Sequence, residues 1–297
     1  MSQVDYKELK KNGFMKQIQK DRFSLRLAIV GGQVDSKKLK TIYEVSEKYG
    51  NGYVHLTSRQ GIEIPFIKPE DIDDVLKELE AGGVKPGTCG ARLRTITACQ
   101  GNRICSSGLI DTTQLANDFD ERFQGRTLPH KFKLGITGCK NNCLKAEEND
   151  LGVKGGTMPK WASANCSFCG RCMEVCPTKA IEKIDREHKQ LIYNEDKCVH
   201  CGRCVKACPT GAWEGKNGFM LFFGGTFGNR LSYGRQLLPI LFSKEEVFKV
   251  VEATLQFFKD NGKVGERFGI TLDRVGWNLL ERKLNDSLEN ERNNIRE

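Results

Sequence analysis

No uninterrupted apolar run in the 297-residue chain approaches the roughly 18 residues that suggest a membrane helix. The start of the chain, residues 1–22, is polar and lysine-rich and lacks a signal-peptide core. A cytoplasmic protein with no membrane partner is the expectation. The dinucleotide fingerprint G-x-G-x-x-G is missing as well: VGGQVDS at residues 30–36 has two glycines without that spacing, so neither a nicotinamide nor a flavin site is expected and electrons must come from elsewhere. Acidic side chains fall short of basic ones, leaving a net charge of +9, yet no nucleic-acid module accompanies the excess. An anionic cofactor or substrate accounts for it better than DNA or RNA. What is present is 38% hydrophobic and 29% charged residues at a mean hydropathy of −0.48, enough for a packed core. The length points to two or three domains, one of them inserted in another.

Periodicity gives an α+β fold. A polar lead-in helix is expected over residues 6–21, within an N-terminal segment 1–22. A strand follows at 23–30, then a helix capped by Asp35 and closed at Gly50, with Leu39, Ile42, Tyr43 and Val45 at helical spacing. Strands at 53–57 and 62–66, a helix opened by Pro69 with Ile72, Val75, Leu76 and Leu79 on one face, and a strand at 93–97 complete a β-α-β-β-α-β order. That is the order of a ferredoxin-like split unit, bounded at 23–90. A second α+β domain is expected from 91–157 together with 218–284. It holds a helix at 113–123, strands at 132–137 and 219–223, a helix at 243–259 and a charged helical stretch from Leu272, ahead of a polar tail at 285–297. Between its halves, over 158–217, cysteine density rises and apolar periodicity stops, which marks an inserted module.

Thirteen cysteines in a reducing compartment are too many for ordinary buried thiols and point to metal ligation. Cys166, Cys169, Cys172 and Cys176 precede Pro177 in a C-x2-C-x2-C-x3-C-P run, and Cys198, Cys201, Cys204 and Cys208 precede Pro209 in a second. In such runs three close thiolates wrap one iron–sulfur cube and the fourth reaches the other. One cluster is therefore expected on Cys166, Cys169, Cys172 and Cys208, the other on Cys198, Cys201, Cys204 and Cys176. Gly170 and Gly202 permit the tight turns. A zinc pair is the weaker alternative, because zinc sites favour two separated cysteine pairs. His200 is read as a surface side chain. The module moves single electrons and carries no substrate chemistry of its own, so a pure carrier protein would stop here.

Four more cysteines go further. Cys99 and Cys105 in TACQGNRIC, and Cys139 and Cys143 in TGCKNNC, each lie in a loop after an expected strand. Gly101, Gly138, Asn141 and Asn142 would let these loops turn around a third cube. A zinc site and unligated thiols remain the alternatives. Cys89 has no partner and reads as an ordinary buried or loop thiol.

C-x5-C followed by C-x3-C resembles the signature of the sirohaem-dependent sulfite and nitrite reductase family. HLTSRQG at 55–61, RTITACQGNRIC at 94–105 and PHKFK at 129–133 resemble its sirohaem- and anion-binding segments in the same order. The resemblance covers roughly residues 23–276. Within the family it extends to the catalytic C subunits of three-subunit anaerobic sulfite reductases, which carry a ferredoxin module inserted after the cluster cysteines.

The resemblance implies sirohaem and three 4Fe-4S clusters. Cys99, Cys105, Cys139 and Cys143 would hold the third cluster, and the Cys143 thiolate would also ligate the sirohaem iron. Arg26, Arg94, Lys131 and Lys133 fall on the substrate-contacting positions. Guanidinium forks would orient a small anion, and a lysine among other cations can hand over a proton. Lys131 and Lys133 alternate across a strand start and so share a face. Taken alone, these four could equally be solvated surface cations. The sirohaem carboxylates would be met by Arg59, Gln60 and Arg103, with Thr57 and Asn102 as hydrogen-bond partners, although local loop capping explains the last two equally well. GGTFGNR at 224–230 could close over the macrocycle or form a simple turn. The implied activity is six-electron reduction of sulfite to sulfide, with ammonia-forming nitrite reduction as the alternative. Implied donors are an iron–sulfur and a flavin subunit oxidising NADH, or a free ferredoxin. Only one split unit is present where large family members have two related halves, so a homo-oligomer or a hetero-oligomeric complex is expected.

Overall fold

Two closely spaced residues stop the first helix early. α1 (Tyr6–Lys11) is capped by Asp5, whose carboxylate accepts from the amides of Lys7 and Glu8 at 2.9 and 3.1 Å. It ends at Asn12 because Gly13 turns at φ +87°, where a side chain would also meet the carbonyl oxygens of Arg26 and Gly87 at 2.8 and 2.9 Å. The helix expected over 6–21 is thus a short helix followed by β1 (Phe14–Lys16), which pairs antiparallel with β2 (Phe23–Arg26). The structure, a computed structural model, describes residues 5–294, with side chains to residue 289.

The strand expected over 23–30 also ends early, at Arg26, ahead of a turn at Val30–Gly32 in which Gly31 is left-handed. α2 (Ser36–Tyr49) starts where the Asp35 carboxylate accepts from the Lys38 amide at 2.8 Å. β3 (His55–Leu56), β4 (Ile62–Ile67) and α3 (Ile72–Ala81) follow, the last introduced by a turn at Pro69–Asp71. The sheet order is β1-β2-β4-β3, and Ile42, Val45, Ile72, Val75 and Leu79 bury the two helices against it. The closing strand expected at 93–97 is not in this sheet. β5 (Thr97–Ala98) belongs to the second sheet, because the chain just before it bonds there: the Leu93 amide donates to the Arg126 carbonyl and the Arg94 amide to the Phe132 carbonyl. The place beside β2 is taken by β1 instead.

The second unit comprises α4 (Thr112–Phe123), β6 (Leu134–Thr137), β7 (Leu151–Trp161), β10 (Trp213–Phe223), β11 (Arg235–Gln236), α7 (Lys244–Asn261), α8 (Phe268–Val275) and α9 (Trp277–Asn294). Its sheet runs β11-β10-β7-β6-β5, with β5, β6 and β7 parallel and β10 antiparallel to β7. Trp161 faces Trp213 in register, so residues 162–212 leave the sheet and return to it at one point. That excursion contains α5 (Arg171–Glu174), the hairpin β8 (Ile181–Asp185) and β9 (Gln190–Tyr193), and α6 (Arg203–Ala207). Ser243 and Glu246 close a capping box at the start of α7. The charged helical stretch expected from Leu272 is the end of α8 and all of α9, which continues into the expected tail at 285–297; residues 295–297, like 1–4 of the lead-in, lie outside the described residues. Among the described residues no helix is long and apolar enough to cross a membrane.

Phe132, Phe258 and Phe268 are fully buried and meet at centroid distances of 5.8, 5.3 and 5.4 Å, fixing α7 and α8 beneath the Lys131–Lys133 stretch. Phe258→Ala is expected to lower stability by about 3–5 kcal/mol, read as a fall in the urea midpoint with the slope unchanged.

Candidate functional site

The first sheet supplies Arg26 from the end of β2 and Thr57, Ser58 and Arg59 from the β3–β4 turn. The second unit supplies Arg94, Lys131 and Lys133. All seven border one cavity of about 270 Å³. Phe132 points into the core between the two lysines, so both face the cavity, as strand alternation requires. The three guanidinium groups all have partners within the protein. Arg26 lies opposite Glu63 in the β2–β4 register and bonds its carboxylate, and Arg94 donates to the Thr88 carbonyl at 2.9 Å.

A neighbouring cavity of about 350 Å³ shares Ser58, Arg59 and Lys133 with the first and is also bordered by Cys143, Lys145, Asn149 and Phe227. Arg59 sits where the two join, donating to the Asn149 side-chain oxygen at 3.0 Å and the Thr95 carbonyl at 3.4 Å. The GGTFGNR segment reaches this cavity through Phe227, with the Lys145 ammonium 5.5 Å over its ring.

Behind the lysines lies Asp150, fully buried. Its carboxylate accepts from Arg267 at 2.9 Å on each oxygen and from the Lys133 amide at 2.8 Å. Burial pushes the Asp150 carboxyl up against the pull of Arg267 and that amide. The cations around it are shifted the other way. Burial, then Arg59 and Arg267, push Lys133 down to about 8. Burial, then Arg267 and Arg94, lower Lys131, and burial brings Arg59 to about 10. His130 is lowered by burial and the same positive neighbours. Five cations are therefore balanced locally by one carboxylate, an arrangement that leaves room for an anion. Neither Asp150 nor Arg267 carries a sequence signal, since they are 117 residues apart and belong to no motif.

The cysteine loops after β5 and β6 leave the same edge of the sheet, because those strands are parallel neighbours. The loops touch: the Gly138 amide donates to the Cys99 sulfur at 3.0 Å. Cys139 is buried, Cys99 is partly buried, and Cys105 and Cys143 are exposed. In the excursion, one cavity is bordered by Cys166, Cys169, Cys172 and Cys208 and another by Cys176, Cys198, Cys201 and Cys204. Both sets mix the two runs. Among the described residues no three His, Cys, Asp or Glu side chains converge on a single metal ion. The Phe168 amide donates to Cys166 and the His200 amide to Cys198, at 3.3 and 3.4 Å. Trp213, buried beside the first of these cavities, has an indole N–H without an oxygen or nitrogen acceptor, and its side chain acts on the Cys172 thiol against the upward push of burial.

Other expected residues lie elsewhere. Gln60 borders neither cation-lined cavity: its carboxamide donates to the Ala98 carbonyl and accepts from the Ala98 amide, both at 2.9 Å, which fastens the first sheet to β5. Arg103 bonds Asp111 at 2.7 Å and Gln114 at 3.3 Å at the start of α4, and Asn102 is exposed in the same loop. Thr57 borders the first cavity while its hydroxyl accepts from the Gly61 amide at 3.0 Å, so it caps the loop as well. Cys89 is buried and takes a 3.8 Å contact from Arg26. His200, expected on the surface, is half-buried.

Two outcomes follow from this electrostatics. Lys133 should be acetylated by acetic anhydride with a midpoint near pH 8, well below the ordinary lysine value of about 10.4, as quantified by mass spectrometry across a pH series. Arg267→Ala should cost about 3–5 kcal/mol in urea unfolding, because it strands a buried carboxylate.

Two family models match the chain: the nitrite and sulphite reductase 4Fe-4S domain over residues 89–292, and the nitrite/sulfite reductase ferredoxin-like half domain over residues 15–82. The coenzyme F420-dependent sulfite reductase of Methanocaldococcus jannaschii is 35% identical over 266 residues, which are 88% of this chain and 42% of that protein. One subunit of the anaerobic sulfite reductase of Salmonella typhimurium, the C polypeptide, is 34% identical over 171 residues, 53% of this chain and 50% of that one. The chain therefore spans half or less of the length of these two relatives. Its fold is similar to that of dissimilatory sulfite reductase I, with a TM-score of 0.70 at 21% identity, covering 89% of this chain and 69% of that one. With most of its length matched by the 4Fe-4S domain and the first sheet and its helices by the half domain, the chain belongs to the nitrite and sulphite reductase family.

Proposed function

We propose that this chain is the catalytic unit of a sirohaem-dependent sulfite reductase, with a two-cluster ferredoxin module inserted at residues 162–212. The observation that carries this reading is the cation-lined cavity shared by Arg26, Arg94, Lys131 and Lys133, which adjoins a second cavity bordered by Cys143. A polycarboxylate macrocycle fits this pair of cavities, since Arg59 lies between them and Lys145 on the far side. Cys143 would ligate its iron, and Cys99, Cys105, Cys139 and Cys143 would hold the adjoining cluster. When bound, the group supplies a redox-active iron beside the anion.

The chain's own residues do the rest. Reduction of sulfite to hydrosulfide consumes six electrons and seven protons and releases three waters, so protons must be delivered repeatedly to leaving oxygens. Arg26, held by Glu63, and Arg94, held by the Thr88 carbonyl, present guanidinium groups that orient the anion. Lys133, brought down to about 8 by burial and neighbouring cations, is charged at neutral pH yet gives up its proton more readily than an exposed lysine. Lys131, shifted the same way, is the second donor. The eight cysteines of the insert would hold two clusters that pass electrons singly. A donor iron–sulfur or flavin subunit, or a free ferredoxin, would supply them, and a second copy of the chain or a partner would complete the site.

Steady-state reduction of sulfite and of nitrite by reduced viologen, with Lys133→Met alongside the wild type, tests the reading. The expected result is faster turnover of sulfite at matched concentration, with a loss of about 10²–10⁴-fold in the variant at unchanged iron and sulfide content. Faster nitrite turnover would assign the nitrogen anion instead. Undiminished activity in the variant would remove Lys133 as the proton donor, and absence of anion reduction by a wild type that contains iron and sulfide would leave a carrier protein.

A further inference from the structure

The two cysteine runs of the insert are copies of one local design, so matched positions can be compared directly, and they face different surroundings. Gly170 and Gly202 each follow the second cysteine of their run and both turn left-handed, at φ +91° and +68°. A side chain added at Gly170 would meet nothing within 4 Å, whereas one at Gly202 would strike the Thr157 hydroxyl of β7 at 2.7 Å. The Phe168 carbonyl is held within the insert by Arg186, at 3.2 Å, but the matching His200 carbonyl accepts from the Thr157 amide at 2.8 Å. Met173 is 40% exposed, while its counterpart Val205 lies against Gly215 of β10, whose added Cβ would meet it at 2.8 Å. Lys206, the counterpart of Glu174, donates to the Ser106 carbonyl at 3.1 Å, one residue beyond Cys105. The second run is thus fastened along β7, to β10 and to the Cys105 loop, whereas the first run meets the host at the outer ends of those strands, where Phe168 packs edge-on against Trp161 at 6.2 Å.

We infer that the module has a fixed polarity: the set Cys198, Cys201, Cys204 and Cys176 faces the Cys105 loop and is the inner one, and the set Cys166, Cys169, Cys172 and Cys208 is the outer one, where an electron-carrier protein docks. This rests on the proposed function, which gives each set a cluster. The docking face has an exposed thioether, Met173, beside the exposed Arg171. Arg186 lies behind the same loop, bonding the carbonyls of Phe168 and Cys169. Two guanidinium groups against Glu174 and one adaptable apolar contact fit a small one-electron carrier with an acidic rim. Each docking event would oxidise the carrier by one electron and reduce the outer cluster by one, which then reduces the inner cluster. Interfaces of this kind are small and governed by charge.

C-G-R-C occurs in both runs, which supplies an internal control: Arg171 and Arg203 are equivalent and both exposed. Binding of an oxidised, acidic plant-type [2Fe–2S] ferredoxin to the cluster-loaded chain is measured by titration calorimetry at low and high salt. Arg171→Glu should weaken binding at least about tenfold and flatten its salt dependence, Arg171→Gln should give a smaller weakening, and Arg203→Glu should stay within about twofold of wild type. Equal weakening by the two reversals, weakening by Arg203→Glu alone, or no binding by the wild type overturns the inference. Iron and sulfide assays on the same samples separate this from failure of the functional reading: a wild-type chain lacking the two inserted clusters sinks that reading, whereas full cluster content with the wrong variant sensitive sinks only the polarity.

Discussion

The buried pair of Asp150 and Arg267 sets the terms for the site. A carboxylate removed entirely from water needs its charge met, and Arg267 meets it with short bonds to both oxygens. The same carboxylate accepts from the Lys133 amide, and the Asp150 carbonyl accepts from the Gly224 amide at the end of β10. Three parts of the chain are thereby tied at one residue: the lysine stretch before β6, the start of α8, and the segment that brings Phe227 to the second cavity. Because the guanidinium consumes most of this negative charge, the surrounding cations remain uncompensated. Burial first and their mutual repulsion second lower the proton affinities of Lys131, Lys133 and Arg59, and an anion among them would offset the repulsion.

A second constraint comes from strand direction. β5, β6 and β7 run parallel, so the loops after β5 and β6 open on one edge and bring two cysteine pairs together that are distant in sequence. β7 then carries the chain to Trp161, and the insert sits where β7 hands over to β10. Its second run is fastened to β7 through Thr157 and to the Cys105 loop through Lys206. These two hydrogen bonds, with the close approaches at Gly202 and Gly215, hold the insert against the host.

The parts of this architecture readable from sequence are those with short-range signals. Asp35 and Ser243 mark helix starts because a cap acts within one turn. Cysteine spacing raises the expectation of two mixed sets, and the same two sets border the two cavities of the insert. Lys131 and Lys133 declared a shared face because Phe132 between them belongs in the core. Long-range choices were not readable. The 93–97 segment has strand character, but which sheet it joins depends on partners at Arg126 and Phe132. Gln60 and Arg103 lie in segments that resemble a cofactor rim, yet one fastens two sheets and the other closes a helix start. Asp150 and Arg267 were invisible, since charge pairing across 117 residues leaves no periodic trace.

The most direct test of the account is an anaerobic absorption spectrum of the chain, purified from cells able to make sirohaem and titrated with sulfite. The account predicts tetrapyrrole bands that shift as sulfite enters the cavity bordered by Arg26, Arg94, Lys131 and Lys133, with the shift lost in Arg94→Ala while the bands themselves persist. Iron–sulfur absorption with no tetrapyrrole, or tetrapyrrole bands indifferent to sulfite, would contradict it.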